Sequence, residues 1–160
     1  MDTQERINYL VKKLDLLPHP EGGFYKETYR SKQILDTPYG ERSLMTSIYF
    51  LLTSENVSHF HRIKSDEHWY FHEGSPLTIH LLDRQGHRKL KLGPSSEECA
   101  PHHLVEKKLI FGSTVDEKNA YSLVSCVVAP GFDFKDFELF KAEDLLSQYP
   151  DHREIIERLT

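Results

Sequence analysis

The 160-residue chain has only two cysteines, Cys99 and Cys126, and no C-x-x-C pair, so neither a disulfide scaffold nor a paired-thiolate zinc site is encoded. A reducing, cytoplasmic compartment is the expectation. No block of like charge exceeds a few residues, and 20 Lys+Arg stand against 25 Asp+Glu for a net charge of -5. Without a basic stripe, nucleic acid and anionic membrane are poor partners. The longest apolar runs, such as Leu123 to Pro130, are broken by Ser125 and fall far short of the ~20 residues a membrane helix needs. The opening MDTQERINYLVKKL also lacks the basic-then-apolar plan of a secretory signal. G-x-S-x-G, P-loop, Rossmann and H-E-x-x-H motifs are absent, which weighs against triad hydrolases, nucleotide kinases, dehydrogenases and zincins.

What is present is aromatic and histidine-rich. Nine Phe, eight Tyr and one Trp accompany ten histidines, eight of them between His59 and His103. The length predicts one domain over residues 1–160, large enough to bury roughly 70% of its extended surface without a metal or disulfide. Ile7, Leu10, Val11, Leu14 and Leu17 recur at helical spacing, with Asp2 and Glu5 set as a capping box and Pro18 as the stop, predicting a helix over 1–17. From residue 24 to 140 the pattern changes to about ten short runs of Tyr, Phe, Val, Ile and Thr, which reads as strands closed by turn clusters such as Thr37-Pro-Tyr-Gly40 and Glu73-Gly-Ser-Pro76. Residues 142–160 return to helical spacing, divided at Pro150. Short strands without long crossover helices argue for an all-β antiparallel sandwich or small barrel.

In Val57-Ser-His-Phe-His61 the strand period of two puts His59 and His61 on one face and Phe60 on the other. On the next strand Glu67, Trp69 and Phe71 share a face, opposite His68, Tyr70 and His72. An apolar interior takes Trp69 and Phe71 first, so Glu67 is expected inside beside the histidine pair. Gly74 then turns the chain.

An H-x-H pair alone arises by chance, but His59, His61, Glu67 and Gly74 together resemble the first motif of the cupin superfamily, G-x5-H-x-H-x3-4-E-x6-G. More narrowly, His19-Pro-Glu-Gly-Gly-Phe-Tyr25, Glu27-Thr-Tyr-Arg30, Ile48-Tyr-Phe-Leu-Leu52, Ser65-Asp-Glu67 and Ala129-Pro-Gly-Phe-Asp-Phe134 are similar to a family of small, single-domain, mostly uncharacterised cupins. The resemblance implies a double-stranded β-helix, usually dimeric, with a pocket at the barrel centre. Thr53 replaces the leading Gly of the motif, and five residues rather than three or four separate His61 from Glu67. The superfamily's second motif finds no counterpart at Ala100, Glu106, Lys108, Phe111 or Val115. No cofactor is fixed by the residues alone. The resemblance implies one divalent metal ion on His59, His61 and Glu67, completed by water.

The first functional reading is a small-molecule enzyme of the isomerase or epimerase kind, acting beside a carbonyl on a polar, carbohydrate-like substrate. It assigns His61 as general base, Tyr49 or Glu67 as the second acid, and Arg30 or Arg62 to steady an enolate. Glu27, Arg30, His59, Arg62 and Trp69 are the expected ligand contacts. Glu27 and Arg30 differ in strand parity, and Gly22-Gly23 offers the backbone irregularity needed to bring both to one ligand. The alternatives are a metal-dependent oxygenase or decarboxylase using His59, His61 and Glu67, and a non-catalytic ligand-binding module. Exposed strand edges of such a barrel favour a homodimer.

Overall fold

A computed structural model describes residues 1–160. Helix α1 (Thr3–Lys13) begins with the expected capping box: the Asp2 carboxylate accepts the Glu5 N–H at 2.8 Å, and the Glu5 carboxylate accepts the Asp2 N–H at 3.0 Å. The helix ends earlier than Pro18 would require, because Asp15 takes a left-handed conformation (φ 54°) and Leu17–Pro18 become a two-residue strand, β1. Ile7 and Leu10 bury against Leu16, Leu51 and Leu123 on the outside of a sheet.

The strands are β2 (Phe24–Arg30), β3 (Ile34–Thr37), β4 (Gly40–Ser43), β5 (Thr46–Thr53), β6 (Val57–Arg62), β7 (Asp66–Gly74), β8 (Leu77–Asp83), β9 (Gly86–Leu92), β10 (His102–Val105), β11 (Ile110–Val115), β12 (Tyr121–Ala129) and β13 (Glu138–Leu139). They form a six-stranded sheet, β1-β2-β5-β12-β7-β10, facing a five-stranded one, β13-β6-β11-β8-β9. All paired strands within them run antiparallel. Inward positions meet between the sheets: Phe50 and Leu52 of β5, Trp69 of β7, Leu77, Ile79 and Leu81 of β8, Phe111 of β11 and Val124 of β12 form the main core. This is an all-β double-stranded β-helix.

The outer face of the second sheet is covered by α2 (Ala142–Gln148), a 3-10 turn (Pro150–His152) and α3 (Arg153–Arg158). Phe60, opposite His61 as parity predicts, buries there with Leu82, Ile110, Leu145, Ile156 and Leu159. No helix is long and apolar enough to cross a membrane.

Two features depart from the sequence reading. Thr37-Pro-Tyr-Gly40 is the turn of a separate hairpin, β3–β4, that joins neither large sheet. Its strands carry exposed polar residues such as Asp36 and Glu41, so no apolar alternation marked them. His80, which strand parity sets opposite the core residues Ile79 and Leu81, is nonetheless buried, bonding Thr114 Oγ1 and His87 Nε2, each at 2.9 Å.

Candidate functional site

One end of the barrel stays open as a cavity of about 200 Å³. Its walls come from β2, β5, β6, β7 and β12, from the His19–Glu21 loop before β2, and from residues 132–137 after β12.

Gly22 and Gly23 set the first loop. Both have positive φ (114° and 76°), and a Cβ on Gly22 would collide with the Val57 carbonyl, while one on Gly23 would stand 2.7 Å from the Leu51 carbonyl. Only glycine lets the chain pass this close to β5 and β6. The result is Glu21 placed inside the barrel, 8% exposed. Its backbone N–H donates to His19 Nδ1 at 3.2 Å. His59 then locks the loop, donating to the Glu21 carbonyl from its backbone N–H at 3.2 Å and its ring Nδ1 at 2.6 Å.

That hydrogen bond explains why His59 is not a cavity residue. Between Phe111 and Ser113 of β11, the partner residues on β6 step from His61 to Ser58, so one extra residue breaks the ladder. A bulge re-aims side chains, and the His59 ring turns to the Glu21 backbone while His61 keeps its place in the cavity wall. A carbonyl can only accept, so His61 Nδ1, 2.7 Å from the His59 carbonyl, carries the proton and Nε2 presents a lone pair. The ring stacks on Phe137 with centroids 5.2 Å apart.

Burial governs the charges. It drops His61 and His19 to about 4 and raises Glu67 to about 7. Burial and the neighbouring Glu67 carboxylate together push Glu21 well above the usual carboxylate range. Glu21 Oε1 lies 3.4 Å from His19 Nδ1 and 3.9 Å from His61 Nε2, yet these are not ion pairs at neutral pH, because burial leaves both imidazoles uncharged there. Glu21 Oε2 is buried with no partner at all. Cys126, behind Glu67, is likewise driven up by burial and held as the thiol.

At the rim, the pairing of β2 with β5 shifts between Glu27 and Tyr29. Two residues of β2 oppose one of β5 there, and the bulge brings Glu27 and Arg30 to the same side. Arg30 donates to Glu27 Oε1 from Nε at 3.1 Å and Nη2 at 2.7 Å, and from Nη2 to the Phe132 carbonyl at 3.1 Å. The irregularity lies at Thr28 rather than at the glycine pair.

Of the sequence-predicted residues, His61, Glu67, Glu27 and Arg30 line the cavity, and His59, Tyr49, Arg62 and Trp69 do not. Tyr49 has the opposite parity to Ile48 and Phe50; it faces outward into the cluster beneath α1, edge-on to His72. Arg62, next to His61 and so on the other face, pairs with Glu138 at 2.7 Å. Trp69 points inward but deeper than Glu67, wedged between Phe50 and Phe111, its Nε1–H without a partner. With His59 turned away, the expected metal triad does not assemble, and no three His, Cys, Asp or Glu side chains are arranged to hold a metal ion. The donor set does not fit that group.

Sequence reasoning missed His19, Glu21, Tyr25, Cys126, Asp133 and the phenylalanines of residues 132–137 as cavity residues. Gly22-Gly23 was the available signal for Glu21: adjacent glycines before a strand mark a close backbone approach, which carries the preceding side chain inward.

A barrel of two antiparallel sheets, open at one end around buried titratable groups, is the architecture of a cupin. Residues 8–140 match the family model described as Cupin superfamily (DUF985), and the chain belongs to that family. It is similar over its whole length to protein SO0799 of Shewanella oneidensis (43% identity, TM-score 0.89, covering 100% of this chain and 98% of that one). A hypothetical protein from Leishmania major is similar at 40% identity and TM-score 0.89, covering 96% and 97%. The uncharacterized yeast protein YML079W is 27% identical over 168 residues, 88% of this chain and 78% of its own. At the level of fold alone, oxalate decarboxylase from Bacillus subtilis matches 89% of this chain and 36% of its own, with TM-score 0.57 and 15% identity.

Proposed function

We propose that the cavity catalyses proton transfer at a carbon beside a carbonyl in a small, polar, carbohydrate-like molecule, making the protein an isomerase or epimerase. One observation carries this reading: two buried carboxyls, Glu21 and Glu67, line the same small cavity, where burial lifts Glu67 to about 7 and Glu21 well above the usual carboxylate range. General acid–base groups work best when their pKa lies near the working pH. Glu67, about half ionised at neutral pH, suits the base better than His61, whose value near 4 makes it a weak one.

In this mechanism the Glu67 carboxylate removes the α proton. The Glu21 O–H donates to the substrate carbonyl oxygen and strengthens that bond as negative charge develops there, as a carboxylic acid kept neutral by its surroundings can do. His61 Nε2 accepts from a substrate hydroxyl and fixes its orientation. Returning the proton from Glu67 to the neighbouring carbon, while the hydroxyl proton moves to the former carbonyl oxygen, gives the isomer; the epimer forms when the deprotonated intermediate turns its other face to Glu67 before the proton returns. The cavity, about 200 Å³, is below the ~300–1,000 Å³ common for drug-sized ligands, so only a small molecule, or the reacting end of a larger one, enters.

The test is deuterium exchange. Small aldoses and ketoses incubated with the protein in D2O should lose α-proton signal by ¹H NMR, and Glu67→Gln should slow this by about 10²-fold or more. Equal exchange with the variant, or none with any member of the panel, would overturn the assignment; saturable binding without exchange would leave a ligand-binding module.

A further inference from the structure

The rim of the cavity has an electrostatic character of its own. Of the side chains that line the cavity, four are carboxyls (Glu21, Glu27, Glu67 and Asp133) and Arg30 is the only Lys or Arg. Arg30 is already committed to Glu27 and to the Phe132 carbonyl. Asp133 enters no ion pair; one carboxylate oxygen accepts the Lys135 N–H at 2.9 Å, capping the 3-10 turn Phe134–Asp136.

Beside Asp133 stand three phenyl rings. Phe132, Phe134 and Phe137 meet edge-to-face, with centroids 4.9, 6.3 and 6.0 Å apart, and all three line the cavity. Phe134 is 52% exposed, an unusual condition for so large an apolar group. Aromatic faces carry negative potential and attract cations, most of all where a carboxylate adds its charge. Further in, Glu21 Oε2 is an oxygen buried without a partner, and buried polar atoms in native proteins are otherwise almost always satisfied. That atom leaves a hydrogen-bonding position open inside the cavity.

We infer that the ligand of this cavity bears an organic ammonium group, seated at the rim against Asp133 and the Phe132–Phe134–Phe137 wall. This deepens the proton-transfer reading and rests on it for the inner half of the ligand, where Glu21 and Glu67 act on an uncharged carbonyl. An anionic group finds no free cation anywhere along this wall, so phosphorylated and carboxylated compounds are disfavoured. Substrates are then amino-bearing carbonyl compounds rather than sugar phosphates.

An isosteric series isolates the charge. Choline, its uncharged carbon counterpart 3,3-dimethylbutan-1-ol, and 3,3-dimethylbutanoate share one shape and differ in sign. Calorimetric or NMR titration of the full chain should show choline binding about tenfold or more tightly than the alcohol, with the carboxylate weakest. Asp133→Asn should erase the preference while leaving the affinity for the alcohol unchanged, which separates lost charge recognition from lost folding. Phe134→Ala should weaken choline more than it weakens the uncharged alcohol, the difference a lost cation–π contact leaves. Alcohol and choline binding equally, carboxylate binding best, or no saturable binding of any of the three would overturn the inference. Glu67-dependent exchange alongside such a result would leave the proton-transfer reading standing, and its loss alongside a clear choline preference would sink only that reading.

Discussion

At the scale of single residues, the cavity places ionisable groups where their charged forms are disfavoured. A carboxyl whose pKa is raised on folding is protonated in both states at low pH, so it costs nothing there. As pH climbs past the ordinary carboxylate value the unfolded chain ionises and the folded one does not, and stability falls until Glu67 itself ionises near 7. The loss amounts to about 3 kcal/mol above pH 7, taking ~1.4 kcal/mol per pKa unit. His61 and His19, depressed to about 4, act in the other direction, removing stability as pH falls from about 6.5 towards 4. The Glu67 contribution is isolated by comparing variants: Glu67→Gln should be more stable than wild type at pH 8, by up to the same ~3 kcal/mol, with the difference vanishing near pH 4 in urea titrations. A variant both more stable and inactive is the signature of a group retained for function. The sequence made His61 and Glu67 legible as an inward pair through strand parity and the apolar Trp69 and Phe71 that share the Glu67 face. It could not show that the His59 ring turns to the Glu21 backbone, because parity assumes an unbroken ladder and the extra residue in β6 breaks it.

At the scale of elements, the site depends on segments that regular patterns do not describe. The large strands were readable from their Val, Ile, Tyr and Phe content, and the capping box of α1 from Asp2 and Glu5. The bulge at Thr28, the β3–β4 hairpin and the 3-10 turn at Phe134–Asp136 were not, since each is set by tertiary contacts. The hairpin is tied to the cavity rim by Arg42, which donates to both oxygens of Asp136 at 2.8 and 2.7 Å in a buried pair, lowering the Asp136 pKa from its ordinary value. Gly131 N–H donating to the Ser43 carbonyl at 2.7 Å adds a second tie. The Gly22-Gly23 loop is the most exacting element. Gly22→Ala combines a disfavoured φ with a clash against the Val57 carbonyl. It should lower stability by about 2 kcal/mol or more in denaturant unfolding, and in the part of the population that folds it should withdraw Glu21 and suppress α-proton exchange. Unchanged stability and exchange would show that Glu21 does not depend on this loop.

At the scale of the whole molecule, a cupin barrel separates rigidity from chemistry. Two sheets joined by a continuous apolar core, with one outer face packed by α1 and the other by the C-terminal helices, carry the open end at which Glu21, His61 and Glu67 line the cavity. The barrel class was legible because short strands with intervening turns admit few other architectures, and the cupin motif residues sharpened it. The chemistry was less so: a proton-transfer site was expected around His61, Tyr49 and Glu67, and the cavity holds His61 and Glu67 but not Tyr49, adding a second carboxyl, Glu21, with the two carboxyls shifted to unequal extents. That inequality is the claim on which the functional account stands, and a ¹³C NMR titration of side-chain carboxyls in the intact protein, assigned with Glu21→Gln and Glu67→Gln, measures it directly. The account predicts a Glu67 midpoint near 7 and a Glu21 carboxyl still protonated when Glu67 ionises. Both resonances titrating together near the ordinary glutamate value of about 4.3 would contradict it.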